Sequence, residues 1–250
     1  MRVPAPKFVA PRRMPALRPA EVHLWLADLA VAPGVLSALA ATLTPDEAGC
    51  ARGFHLATHR DEWIAARGGL RRLLGHYLGI KAGAVRLVCS ASGKPMVAAG
   101  PREVRFNLSH SLGRCLYAFI IGREVGVDLQ AVQPRRATAG IARRFFAPPE
   151  VAALEALPEA DRSRRFFDLW TRKEAFVKGI GRGLALGLEG FVVEPGGIGV
   201  PTPVVTLDER AGGERWTTVR LAAGRGFAAA LAVPGAGWRL RGFRLNFDRF

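Results

Sequence analysis

The sequence predicts an α+β protein made of two similar halves that meet near residue 125. Three observations lead there. Each half mixes helical periodicity with short strands that read as antiparallel. The 250-residue length suits one large or two small domains, at roughly 100–200 residues per domain. Apolar types at 49% and charged types at 23% are those of a soluble globular chain, which excludes wholesale disorder, collagen and coiled coil. The longest clean apolar stretch, Phe227–Val233, falls far short of the about 20 residues a spanning helix needs, so no membrane segment is expected. The division expected is a basic arm over 1–20, a first half over 21–125 and a second over 126–250.

In chain order, residues 1–20 carry Arg2, Lys7, Arg12, Arg13 and Arg18 among five prolines. They read as a flexible basic arm that joins the fold late. With no apolar core of a secretory signal, a cytoplasmic location is expected. Glu21–Ala30 alternates Val22, Leu24 and Leu26 with polar neighbours, a half-buried strand. Thr44-Pro45-Asp46-Glu47 starts a helix: a cap, a proline first inside, then acids in the first turn. Arg60–Leu78 follows as a long helix with Ile64, Leu70, Leu73, Leu74 and Tyr77 inward, and Arg67, Arg71 and Arg72 on its polar side. Val85–Cys89 is a strand and Ser92–Pro95 a turn. Phe106–Ser109 is extended; Cys115–Ile121 and Val125–Leu129 are strands joined by a tight turn at Gly122–Glu124. Helices are then expected over Ile141–Phe146, Pro149–Ala156 and Arg162–Lys178, the last ended by the glycines of 179–183. Strands follow over Phe191–Glu194, Val204–Asp208, Trp216–Leu221, Phe227–Val233 and Trp238–Phe243.

Cys50, Cys89 and Cys115 are far apart with no C-x-x-C, and read as small buried hydrophobes rather than a disulfide or zinc framework. The net charge of +15 favours an anionic partner: nucleic acid, a membrane surface, a phosphate-rich small molecule or an acidic protein. Lysine is rare beside arginine, which makes each lysine an unusual choice.

Several segments could carry chemistry. In Phe106-Asn107-Leu108-Ser109-His110-Ser111, successive side chains of an extended segment point to opposite faces, so Ser109 and His110 cannot act as a nucleophile–base pair. The alternatives are an anion clamp or a capped turn with a structural histidine. In Gly126-Val127-Asp128-Leu129-Gln130, Asp128 and Gln130 share a face, an arrangement that suits a hard divalent cation or an exposed strand end. On the helix around residue 170, Phe166, Leu169, Trp170, Phe176 and Val177 form one apolar arc. Glu174 and Lys178 lie together at its edge, either as a surface salt bridge or as a carboxylate at a cleft margin. Lys173 falls inside the arc, where it must snorkel or find a partner; such a breach of pattern often marks a site. The glycine-rich Gly179–Leu184 stretch lacks the order of a P-loop.

Taken together and in order, these segments resemble the larger, pseudo-dimeric 4′-phosphopantetheinyl transferases of the Sfp type. The matching residues are Gly93-Lys94-Pro95, Phe106 to Ser111, Gly126-Val127-Asp128, Trp170-Thr171-Arg172-Lys173-Glu174-Ala175 with Lys178, and Gly181-Arg182-Gly183-Leu184. The resemblance covers most of residues 44–190 and implies the family's fold, two pseudo-symmetric halves with the active site in the cleft between them. It implies transfer of the phosphopantetheine arm of coenzyme A to a serine of an acyl or peptidyl carrier protein, with release of adenosine 3′,5′-bisphosphate. Asp128 and Glu174 are implied to hold Mg²⁺, or Mn²⁺, with Gln130 as a third ligand. Glu174 is also the implied base, and Lys178 steadies charge on the phosphates. Ser109, His110, Lys94, Arg52 and Arg67 are the implied coenzyme A contacts. The family pattern has Glu at the place of Gln130, so an altered metal affinity is expected. The positive field then serves coenzyme A and an acidic carrier protein rather than nucleic acid. A monomer suffices because both halves belong to one chain.

Overall fold

A computed structural model describes residues 7–98, 103–181, 187–206 and 215–249. The first half contains β1 (Glu21–Asp28), α1 (Pro33–Ala40), α2 (Pro45–Arg52), α3 (Ala57–Leu78), the short hairpin β2 (Leu87–Cys89) and β3 (Pro95–Val97), β4 (Val104–Ser111) and β5 (Arg114–Ile121). The second contains β6 (Gly126–Ala131), α4 (Ala139–Phe145), α5 (Pro148–Glu155), α6 (Glu159–Ile180), β7 (Phe191–Val193), β8 (Pro201–Thr206), β9 (Trp216–Leu221), β10 (Phe227–Pro234) and β11 (Arg239–Leu245).

The α+β expectation holds, and the halves repeat one topology. β1 pairs antiparallel with β5, and β5 with β4. Likewise β6 pairs antiparallel with β10, and β10 with β9. A 22-residue helix follows the first strand of each unit, α3 or α6, and ends on a left-handed glycine, Gly79 (φ 69°) or Gly181 (φ 66°). Only glycine takes that conformation without a Cβ penalty. The sheets run β11-β1-β5-β4 and β6-β10-β9-β8-β7. They share a core between them, with Val22, Leu24, Leu116 and Ile120 of one against Val127, Leu129, Val219 and Leu231 of the other. α3 covers the far face of the first sheet and α6 that of the second.

The repeat extends to side chains. Arg71 and Lys173 hold the same place in their helices (57 to 71, 159 to 173), and both are buried. Each meets a glutamate from the first turn of the preceding short helix: Arg71 Nε to Glu47 Oε2 at 2.6 Å, Lys173 Nζ to Glu150 Oε2 at 2.7 Å. Each glutamate also accepts the N–H that opens its own helix, from Thr44 at 2.9 Å and from Ala147 at 3.0 Å. Each cation then donates to two carbonyls beyond its helix, Ala82 and Val85 for Arg71, Leu188 and Phe191 for Lys173. A buried charge survives only when paired and hydrogen-bonded. Here the same device ties a short helix, a long helix and the chain after it in both halves.

Four expectations change. The last strand does not stay with the second half over 126–250; β11 pairs parallel with β1 of the first sheet, Glu21 opposite Arg239. Arg71 is not on a polar face but 1% exposed, because Glu47 and two carbonyls satisfy it. Cys50 and Cys89 are exposed and only Cys115 is buried. The described part of the arm, 7–20, is docked: Leu17 lies in the core, and the Arg244 N–H donates to the Val9 carbonyl at 2.9 Å. The helix α1 and strand β3 were not expected from the sequence. Among the described residues no helix is long and apolar enough to cross a membrane.

Candidate active site

The two sheets meet along β4 and β6. Asn107, Ser109 and Ser111 alternate along β4 and so share a face. Each bonds to β6: Val127 N–H donates to Asn107 Oδ1 at 2.9 Å, Ser109 Oγ donates to Asp128 Oδ1 at 2.8 Å, and Ala131 N–H donates to Ser111 Oγ at 3.1 Å. Side chains thus join two strands that make no backbone ladder with each other. Val127 and Leu129 face the core between the sheets, which sends Asp128 and Gln130 to the side of α6.

Gly126 sets how close α6 can come. A Cβ at this position would overlap the Ala175 carbonyl and the backbone of Gly179. Its absence lets the helix lie directly on the strand. Glu174 and Lys178, one turn apart, then stand over Asp128. Lys178 Nζ donates to Asp128 Oδ1 at 2.6 Å and to Ser109 Oγ at 3.2 Å. Asp128 is buried, and its second oxygen, Oδ2, has no hydrogen-bond partner. Glu174 is half-buried, and its pKa is raised, chiefly by burial; Lys178 opposes the shift and the Asp128 charge adds to it. A buried carboxylate oxygen without a donor, beside a second carboxylate that it destabilises, fits a hard divalent cation. Gln130 is on the same strand face but lines an adjoining cavity of about 260 Å³ with Arg136, Ile141, Phe166, Phe167 and Trp170. Among the described residues no group of three or more His, Cys, Asp and Glu gathers as a metal site; two carboxylates and one amide oxygen would be the protein's donors.

The remaining candidates are placed as follows. His110 is exposed at the rim; protein packed around its ring lowers its pKa, with Glu62 opposing and Lys178 assisting. Lys94 donates to Glu124 at 2.6 Å, to the Val125 carbonyl at 3.2 Å and to the Gly179 carbonyl at 2.7 Å. It clamps the hairpin of the first half to both the residues just before β6 and the end of α6, and burial lowers its pKa while Glu124 opposes that. Arg67 donates to Glu47 Oε1 at 2.6 Å, and Arg52 is exposed at the end of α2. Lys173, singled out for breaking the apolar arc, is held by Glu150 away from Asp128. Arg182, Gly183 and Leu184 lie outside the described residues. Sequence reasoning missed Asn107, Ser111, Gly126 and Glu150. The alternation of Asn107, Ser109 and Ser111 was the available signal for the first two.

This seam between the two sheets of an α+β fold gathers a strand aspartate, a helical glutamate and a lysine. A family model of the 4′-phosphopantetheinyl transferase superfamily matches residues 124–232, which include Asp128, Glu174 and Lys178. The chain is 37% identical over 221 residues to the 4′-phosphopantetheinyl transferase HetI of Nostoc, covering 88% of this chain and 90% of the relative. It is 34% identical over 109 residues to the 4′-phosphopantetheinyl transferase Sfp of Bacillus subtilis, covering 44% and 47%. A holo-(acyl-carrier-protein) synthase from Bacillus anthracis, solved in complex with CoA (3′,5′-ADP), overlaps 44% of this chain and 94% of its own at 17% identity and a TM-score of 0.38. The chain belongs to the 4′-phosphopantetheinyl transferase superfamily and is an enzyme of that type.

Proposed function

We propose that the protein moves 4′-phosphopantetheine from coenzyme A to a serine of an apo acyl or peptidyl carrier protein and releases adenosine 3′,5′-bisphosphate. The observation that carries this is the orphaned Asp128 Oδ2 beside Glu174 and Lys178, within the segment the family model matches.

Asp128 and Glu174 would hold Mg²⁺ or Mn²⁺, with the Gln130 carbonyl as a weaker third donor. The bound ion supplies charge neutralisation at the pyrophosphate. Glu174 takes the proton from the carrier serine directly or through a water. The serine oxygen bonds to the phosphorus that bears pantetheine, and the bond from that phosphorus to the bridging oxygen breaks. The electron pair leaves with adenosine 3′,5′-bisphosphate. Lys178 exchanges Asp128 for phosphate oxygens and stabilises their charge. Ser109 holds Asp128 in place and lies beside the phosphates. His110 and Arg52, both exposed, are free to reach the nucleotide end. Lys94 and Arg67 reach it only by exchanging a protein acceptor for a phosphate oxygen.

The test mixes purified protein, coenzyme A, Mg²⁺ and an apo carrier protein and reads the phosphopantetheine mass gain. Glu174→Ala should abolish the gain and Asp128→Ala nearly so. A robust gain in Glu174→Ala removes the base assignment. Normal activity in both variants overturns the site.

A further inference from the structure

Ser111 and Arg114 pair across a two-residue turn that joins β4 to β5. Both turn residues have positive φ, 42° at Leu112 and 73° at Gly113, as in the turns that suit a right-twisted hairpin. Such a turn favours Asn, Asp or Gly at its first position, because a side chain with a Cβ is strained there. Leu112 is the wrong residue by that rule. It gains nothing by burial either: at 66% exposure it is the most exposed large apolar side chain among the described residues. Among them, Ala20 alone shares a positive φ without being glycine. Folding therefore has no use for this leucine, and strain at an exposed position points to function.

Its location says which function. Ser111 is bonded to Ala131 of β6, so the turn lies at the end of the β4–β6 seam. At the rise of a strand, Leu112 is about 10 Å beyond Ser109. Past Ala131 the chain presents Arg135 and Arg136, both exposed. On the opposite side, toward α3, Glu62 stands near Gly113. The result is an apolar knob at the end of the seam, on a chain of net charge +15, with Arg135 and Arg136 four and five residues past the β6 residue that Ser111 holds. Leu112 itself offers a nucleotide neither a phosphate donor nor a flat aromatic surface. An exposed branched aliphatic on so basic a chain suits the surface of a folded acidic protein, with the apolar contact at the centre and ion pairs at the rim.

We infer that Leu112 is a docking residue for the carrier protein. It inserts between apolar side chains beside the acceptor serine, while Arg135 and Arg136 meet carboxylates of the same partner. This rests on the transfer reaction proposed above.

Leu112→Asn tests it, because Asn-Gly is the pair the turn favours and the variant will fold. The KM for an apo carrier protein should rise about fivefold or more. The KM for coenzyme A and kcat at saturating carrier should not change, and the thermal midpoint should stay at or above the parent value. Leu112→Met should restore the carrier KM. An unchanged carrier KM in Leu112→Asn overturns the inference. A raised KM for coenzyme A instead places the residue on the nucleotide side and also overturns it. Failure of the parent protein to modify any carrier rejects the transfer reaction, an outcome visible before any variant is made.

Discussion

Glu150→Ala separates structure from catalysis at the Lys173–Glu174 pair. Lys173 is 0% exposed and its ammonium has one carboxylate and two carbonyls as acceptors. Glu150 also accepts from the Val193 N–H at 2.8 Å and from the Ala147 N–H at 3.0 Å. Removing the carboxylate strands a buried cation and two N–H donors, a loss of about 3–5 kcal/mol. For a chain of this size that lowers the thermal midpoint by about 6–20 °C. Lys173→Met is the companion. It leaves the Glu150 carboxylate with its two N–H donors and puts an apolar chain of similar length in the cation's place, so it should cost less than Glu150→Ala. Calorimetry or urea unfolding followed by circular dichroism reads both, and the carrier mass-gain assay is run well below the lower midpoint. There, both variants should retain a kcat close to the parent's, since Lys173 serves the fold. A larger loss in Lys173→Met than in Glu150→Ala refutes the stranded-charge argument. A folded Lys173→Met without activity refutes the structural assignment.

Three further outcomes are expected. Gly126→Ala forces α6 off β6, because the added methyl meets backbone rather than a movable side chain; both the thermal midpoint and phosphopantetheine transfer should fall together, and a variant of parental stability would show that the helix does not rest on the strand. Gln130→Glu should lower the Mg²⁺ concentration that gives half-maximal rate, since a carboxylate is the better ligand for a hard cation; an unchanged metal dependence removes Gln130 from the site. The third concerns pH. His23 is buried, and its pKa is lowered from 6.5 to about 4, chiefly by burial and against the influence of Glu21. The unfolded chain binds a proton there first, so stability falls as pH drops below about 6.5 and the loss is complete below about 4, of order 3 kcal/mol in all. Urea midpoints from pH 7 to 4 should show this decline, and it should weaken in His23→Gln.

The tautomer of His23 follows from its surroundings. Trp25 Nε1–H donates to the Tyr77 hydroxyl at 2.7 Å, which leaves that hydroxyl to donate to His23 Nδ1 at 2.8 Å. The proton of neutral His23 is then on Nε2, facing Glu21 Oε2 at 3.2 Å. Such a chain is complete only while the ring is neutral.

How much of this was legible in the sequence depended on the range of the interaction. Periodicity is local, and it placed α6, β9 and β10 to within a few residues. Capping is local too: Thr44 caps α2 as expected, and Glu47 closes a reciprocal box with it. Strand alternation correctly put Asp128 and Gln130 on one face. Partners far along the chain were invisible. Nothing near Lys173 announces Glu150, and nothing near Arg71 announces that Glu47 will bury it. The Ser109 hydroxyl, read as an anion clamp or a capped turn, instead meets Asp128, nineteen residues on. α1 was missed because it is only eight residues long and opens on Pro33 and Gly34, which read as a turn. The placement of β11 was beyond reach, since its alternation fits either sheet equally well.

That last strand has a consequence for biogenesis. Until Leu245 has left the ribosome, β1 exposes one edge of unpaired N–H and C=O groups, with β5 bonded only to the other. An open edge of that kind recruits strands from neighbouring molecules. The first sheet thus begins to form early but is closed only when β11 emerges, and until then the growing polypeptide carries an aggregation-prone margin.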